Sequence, residues 1–201
     1  MRRGGTRKGR AAKILDCVQN DGNTVRDYQQ SRDFITQSLA RCLERQKEEV
    51  ALIEIQIESM LQEFPYKLTT LPGVDIVTAS KLISEIGDIS RFKNADKLAR
   101  YSGIAPVSFS SAGKGKDISS KQGNRFLNGV FYFMAVSMVA VKPKTKEPYQ
   151  PIFRAYFERK ISEGKTSSQA LVCVMRRLVS IVYGMMRHKT EYRPFRLDEP
   201  E

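Results

Sequence analysis

The chain has 201 residues, 41% of them hydrophobic and 28% charged, enough apolar material for one packed domain with an appendage and too much for global disorder. Thirty-four Lys and Arg against 22 Asp and Glu leave a net charge of +12, which points to a polyanionic partner, nucleic acid before others. A single histidine, His188, excludes a histidine metal cluster and argues against a Ser-His-Asp triad. Cys17, Cys42 and Cys173 lie far apart, without disulfide or zinc spacing, and fit a reducing compartment.

Residues 1–25 read as a basic N-terminal segment: the first 13 carry six basic side chains and no acid, and no apolar core of signal-peptide length follows. From Arg26 to Phe64 eight acids face five bases, so the remainder of the chain carries +15. This acidic stretch has helical periodicity. Ile35, Leu39, Cys42, Gln46, Val50, Ile53, Ile57, Met60 and Phe64 recur at steps of three and four, a heptad seam with one stutter. Glu44, Glu48, Glu49, Glu54 and Glu58 take the solvated faces. The spacing predicts a coiled-coil helix over 26–65, stopped by Pro65, that packs on its own domain or on another copy of itself.

Beyond residue 66 the pattern changes to short helices and tight turns. Leu71-Pro72-Gly73-Val74-Asp75 reads as a turn, then a helix over Ile76–Ile86 with Ala79, Leu82, Ile83 and Ile86 on one face and Gly87 as its stop. Asn94 caps a short helix over Ala95–Tyr101, closed by Gly103. A polar stretch from Ala105 to Gly123 follows, in which Val107–Ser110 alone looks extended. Helices are predicted at Asn124–Val141, Gln150–Glu163, with Pro151 in its first turn, and Ser167–Arg187. The most apolar run, Val130–Val141, has 12 residues where a membrane span needs roughly 20, so it reads as a buried helix of a soluble protein. The expected fold is mainly α: a long coiled-coil-like helix, a compact multi-helical domain over 66–192 with a helix-hairpin-helix-like element, and a tail over 193–201.

Three places carry candidate chemistry. Pro72 and Gly73 allow a sharp turn that presents the Gly73 and Val74 N–H groups to a phosphate, although the same residues also make a plain structural turn. The stretch Ser108–Arg125 gathers five serines with Lys114, Lys116, Lys121 and Arg125. Its cations suit phosphate oxygens and its hydroxyls suit attack on phosphorus, while its composition alone also describes a solvated linker. Arg176 and Arg177 lie beside the apolar face formed by Leu171, Val174, Leu178, Ile181 and Val182, either as solvated positions or as a phosphate-tracking ridge. Met175, Met185 and Met186 read as core or interface filler. Gly164-Lys165-Thr166 looks like the end of a P-loop, but position 159 is arginine and no strand precedes it.

Four blocks in order extend this reading: Leu71-Pro-Gly-Val-Asp75 through Phe92, Ala95-Asp-Lys-Leu-Ala-Arg-Tyr101 through Pro106, Ser119-Ser-Lys-Gln-Gly-Asn-Arg125, and Glu163-Gly-Lys-Thr166 through Leu178. Together they resemble the C-terminal transposase domain of the IS-one-ten family of insertion-sequence recombinases. The resemblance implies that this domain supplies a serine that attacks DNA and forms a covalent phosphoserine intermediate. It further implies an N-terminal nuclease-like domain holding Mg2+ on an Asp-Glu-Asp-Asp cluster, a structured guide RNA, and a homo-oligomer joined through a coiled coil. The family serine falls on Ser111, within Ser110-Ser111-Ala112-Gly113, and Ser110 is the alternative. About 25 residues precede the predicted coiled coil, so the chain reads as the C-terminal half of such a recombinase, with no metal or cofactor of its own. Two functions follow as expectations, both in a bacterial-type, nucleoid-associated cytoplasmic setting. One is a transposase domain that binds DNA and cleaves and rejoins strands through Ser111; the other is a non-catalytic DNA- or RNA-binding fragment that pairs with full-length transposase or inhibits it.

Overall fold

The structure, a computed structural model, describes residues 28–104, 107–109, 116–118 and 123–194, with the backbone alone at 107–109 and 116–118. The segments 1–25 and 195–201, Ser110, Ser111, Lys114 and Lys121 lie outside the described residues. Among the described residues the fold is mainly α. Its elements are α1 (Gln29–Leu61), α2 (Ile76–Ile86), α3 (Ala95–Tyr101), β1 (Val107–Phe109), β2 (Lys116–Ile118), α4 (Arg125–Val139), α5 (Pro151–Ser162) and α6 (Ser167–His188), with 3-10 turns at Leu68–Thr70 and Ile89–Arg91. The chain divides into two units at residues 51 and 52, within α1.

α1 is a continuous helix in which no residue is buried. The seam residues Ile35, Leu39, Val50 and Ile53 are about half exposed or more. Of the helix expected over 26–65, regular geometry covers Gln29–Leu61. The Glu63 and Phe64 N–H groups bond the Met60 and Leu61 carbonyls at 3.2 and 3.1 Å, the tighter three-residue spacing. Pro65 explains it, since its ring disfavours helical backbone at the residue before it.

In the second unit α6 is the central element. α3, α4 and α5 all pack on it, and α2 packs on α4. Its buried face comprises Val174, Met175, Leu178, Val179, Val182, Met185 and Met186, so the three methionines are core. Leu171 and Ile181, expected on that face, lie at its margin and are partly buried. By length and composition α6 is apolar enough to cross a membrane, yet its apolar face is occupied by packing within the domain.

Local chemistry sets the boundaries. Asp75 caps α2 by accepting from the Thr78 N–H at 2.7 Å, and Ala79, Leu82, Ile83 and Ile86 are its buried residues. Asn94 caps α3 through the Lys97 N–H. Thr166 and Gln169 form a reciprocal capping box at the start of α6, and Gly164 at φ +89 makes the turn before it. The residues that imitate a P-loop are thus a helix stop followed by a helix start.

Two differences from the sequence expectation stand out. α4 ends at Val139 instead of Val141, because Val141 pairs antiparallel with Pro148 and Tyr149 N–H bonds the Ala140 carbonyl at 3.1 Å. The stretch around Lys116, expected as irregular loop, is a strand: β2 pairs antiparallel with β1, with Val107 opposite Ile118 and Phe109 opposite Lys116. Period-two patterning cannot reveal a strand of three residues.

Candidate nucleic-acid interface

The stretch of chain that carries β1 and β2 is flanked by a tight junction. Upstream, α3 ends at Tyr101, and Gly103 turns the chain at φ +66. Downstream, Gly123 lies at φ +124, and a Cβ built on it would stand 2.6 Å from the Gly103 nitrogen and 2.9 Å from the Tyr101 carbonyl oxygen. Only a residue without a side chain fits this approach.

Asn124 locks the same junction. Its N–H donates to the Tyr101 carbonyl at 2.7 Å. Its side-chain oxygen caps α4 by accepting from the Leu127 N–H at 2.9 Å, and its amide nitrogen donates to the Glu85 carboxylate and, at 3.5 Å, to the Tyr101 hydroxyl. One residue therefore ties the start of α4 to the ends of α2 and α3. A turn further on, the Asn128 amide donates to the Ser102 carbonyl at 3.0 Å. The Arg91 guanidinium lies 4.6 and 4.7 Å from the Phe92 and Tyr101 ring centres. Tyr101 is held below the usual phenol range, chiefly by the Asn124 hydrogen bond and then by Arg91.

Beside this junction, a cleft of about 490 Å³ opens between the start of α2 and the outer face of α4. Gly73, Asp75, Lys81, Arg125, Phe126 and Phe133 are among its lining residues. Phe126 and Phe133 are 52% and 73% exposed, unusual for side chains of this size. Asp75 is held below the usual carboxylate range, first by its hydrogen bond to Thr78 and more weakly by Lys81.

The sequence-derived candidates fall in different places. Arg125 is the exposed first residue of α4 and shares the cleft with Gly73. Lys116 lies in β2, opposite Phe109. The expectation for Val74 is corrected: its N–H donates to the Leu71 carbonyl at 3.0 Å and closes the turn, with Gly73 at φ +79 and the Val74 side chain buried. The helix start that follows is already served by the Asp75 carboxylate, which disfavours a phosphate there. The element before the turn is a three-residue 3-10 turn, Leu68–Thr70, where a helix-hairpin-helix has a full first helix.

The ridge expected of Arg176 and Arg177 is divided. Arg176 is exposed and bonds Asp96 of α3 at 2.9 Å, whereas Arg177 is half-buried with its Nε out of solvent. Sequence reading passed over Glu85, Tyr101, Lys81, Phe126 and Phe133. Asn124 it recognised as a helix start, and the Gly-Asn pair before an apolar run is the signal for that junction. Among the described residues no group of three or more His, Cys, Asp or Glu is placed to hold a metal ion.

Comparison with known proteins places this geometry. The sequence model of the Transposase IS116/IS110/IS902 family matches residues 66–150, from the residues before the 3-10 turn through α4. An uncharacterized 43.6 kDa protein of insertion element IS110 from Streptomyces coelicolor is 32% identical over 166 residues, covering 80% of this chain and 38% of the relative. A pilin gene-inverting protein of Moraxella bovis is 33% identical over 128 residues, 64% of this chain and 37% of the relative. An uncharacterized 44.8 kDa protein of insertion element IS116 from Streptomyces clavuligerus is 30% identical over 128 residues, 63% and 30% respectively. The chain thus spans less than two-fifths of the length of these relatives. Residues 66–150 are a domain of the IS116/IS110/IS902 transposase family.

Proposed function

We propose that this chain binds DNA for an insertion-sequence transposase and supplies a serine that attacks the DNA backbone. Ser111 is the nucleophile, with Ser110 as the alternative. Its oxygen bonds to phosphorus as the phosphodiester bond to the departing strand breaks, the released strand end takes up a proton, and a phosphoserine link holds the other strand end. Lys114, Lys116, Lys121 and Arg125 neutralise the phosphate oxygens around this step.

The observation that carries the reading is the junction that flanks the hairpin. Gly123 packed on Gly103, with Asn124 and Asn128 bonded across the junction, brings together the two described points, 103 and 123, between which the chain carries Ser111. A nucleophile delivered to a bound phosphate needs a defined position, since small misplacements cost large factors in rate. A relative whose name records inversion of a pilin gene supports rearrangement of DNA as the setting; the bacterial nucleoid is the location this proposal adds.

The Mg2+ of the family resemblance is assigned to parts of the transposase beyond this chain, and no step here is routed through it. α1 (within 26–65) is proposed to pair with a second copy, because most of its apolar seam is exposed and none of it is buried. A structured guide RNA is the second polyanion expected for the basic surface. The same exposed seam supports a second reading, in which the chain pairs with full-length transposase and inhibits it without reacting itself.

Incubating the chain with substrate DNA and the nuclease-like part of the same element tests the first reading. A covalent protein–DNA adduct that Ser111→Ala removes is the expected result. Salt-sensitive binding with no adduct from any serine supports the second.

A further inference from the structure

We propose that the cleft between α2 and α4 holds one unpaired nucleotide, its base between Phe126 and Phe133 and its phosphate on Arg125 and Lys81. The inference deepens the DNA-binding reading above and rests on it. α4 buries Leu127, Val130, Phe131, Met134, Ala135 and Met138, so its opposite face has no packing role. That face nevertheless carries Phe126 and Phe133, 52% and 73% exposed.

Residues seven apart on a helix lie on one face, about 10 Å apart along the axis. Midway between the two rings stands Gly129, and a Cβ built on it meets nothing within 4 Å. The space between two aromatic rings is therefore left open by the missing side chain. A planar base is about 3.4 Å thick, and one base with a stacking gap on each side needs about 7 Å, less than the roughly 10 Å that separates the two phenylalanine positions along the axis. Lys81 and Arg125, both exposed, line the same cleft with the single carboxylate of Asp75. Asp75 keeps its negative charge while capping α2 through the Thr78 N–H, so it keeps a phosphate off the helix start, and the lining carries two cations against one anion. An apolar peptide would use the rings and strand the cations; a nucleotide uses both.

The position also suits the chemistry. Arg125 directly follows the Asn124 junction, so a nucleotide held in this cleft would lie next to the point where the chain leaves the serine-bearing segment. A site that holds an unpaired base favours the extruded state, whose cost is lost stacking and pairing.

The test uses fluorescence anisotropy on the whole chain with labelled single-stranded DNA of about 12 nucleotides and with a duplex of the same length. Phe133→Ala should weaken single-strand binding by about 5- to 150-fold, the range for loss of one stacking partner, and Gly129→Leu, which fills the gap, should do likewise. Duplex binding should stay within about twofold, because phosphate contacts dominate it. Unchanged single-strand affinity in both variants, with thermal melting showing a folded protein, overturns the inference and leaves the DNA reading standing. Equal losses on single strand and duplex also overturn it. A changed sedimentation coefficient with unchanged single-strand affinity would make the face an interface between copies. Wild-type protein that binds neither DNA sinks the broader reading as well.

Discussion

Gly123 meets the backbone of Gly103 so closely that a methyl group on it would lie 2.6 Å from the Gly103 nitrogen. The contact is backbone on backbone, so no side-chain rotation relieves it. Gly123→Ala is expected to cost about 2 kcal/mol or more, from the clash together with a positive φ. Gly87 offers the control for backbone strain, since at φ +61 and ψ −133 it is also held in a conformation that favours glycine but has open space around it; Gly87→Ala should cost about 1–3 kcal/mol, and Gly123→Ala more than Gly87→Ala. Urea unfolding of the two variants checks the difference, and equal losses would mean that the close approach does not matter.

Asn124 should show two separable effects. Asn124→Ala removes the α4 cap and the bond to Glu85, for an expected loss of about 1–2 kcal/mol. Asn124→Asp keeps an oxygen for the Leu127 N–H but sets a second carboxylate against Glu85. Its stability should therefore rise with added salt while that of Asn124→Ala does not. Denaturation at two ionic strengths distinguishes them.

Asp75 predicts a pH dependence with a definite sign. Its folded-state pKa is depressed, mainly by the Thr78 hydrogen bond, so its contribution is present above the unfolded value of about 3.9. The contribution fades as pH falls through the folded value. Asp75→Ala should be less stable than wild type by about 1 kcal/mol at neutral pH, and the gap should close as pH falls through the depressed folded-state value. Asp75→Asn, which caps without ionising, should narrow the gap at neutral pH.

The exposed seam of α1 predicts association. Wild-type chain should sediment as more than one copy, and Ile53→Asp with Ile57→Asp should return it to a monomer with weaker far-UV helix signal. A monomeric wild type with full helicity would contradict pairing through this helix.

What the sequence made legible followed local rules. Asp75, Asn94 and Thr166 mark helix starts by side-chain capping, Gly87 marks a stop, and the face of Ala79, Leu82, Ile83 and Ile86 is read from 3.6-residue spacing. What it hid depended on partners distant in the chain. The end of α4 is set by pairing with Pro148, and the Glu85–Asn124 bond joins residues 39 apart. Val74 looked free to meet a phosphate because the sequence does not show that its N–H closes the preceding turn. Arg176 and Arg177 looked equivalent because neighbours on a helix differ in burial only once α3 is placed beside them. The cleft escaped notice for another reason: Phe126 and Phe133 sit in an apolar run, which periodicity assigns to the core, yet both face outward.

Peptide mapping of the covalent product tests the serine chemistry most directly. The chain, the nuclease-like part of its element and substrate DNA are reacted, the DNA is digested, and the protein is sequenced by mass spectrometry. The account predicts a phosphodiester remnant on Ser111, lost in Ser111→Ala while DNA binding persists. Strand cleavage with no remnant on Ser111 or on the neighbouring Ser110 would contradict it.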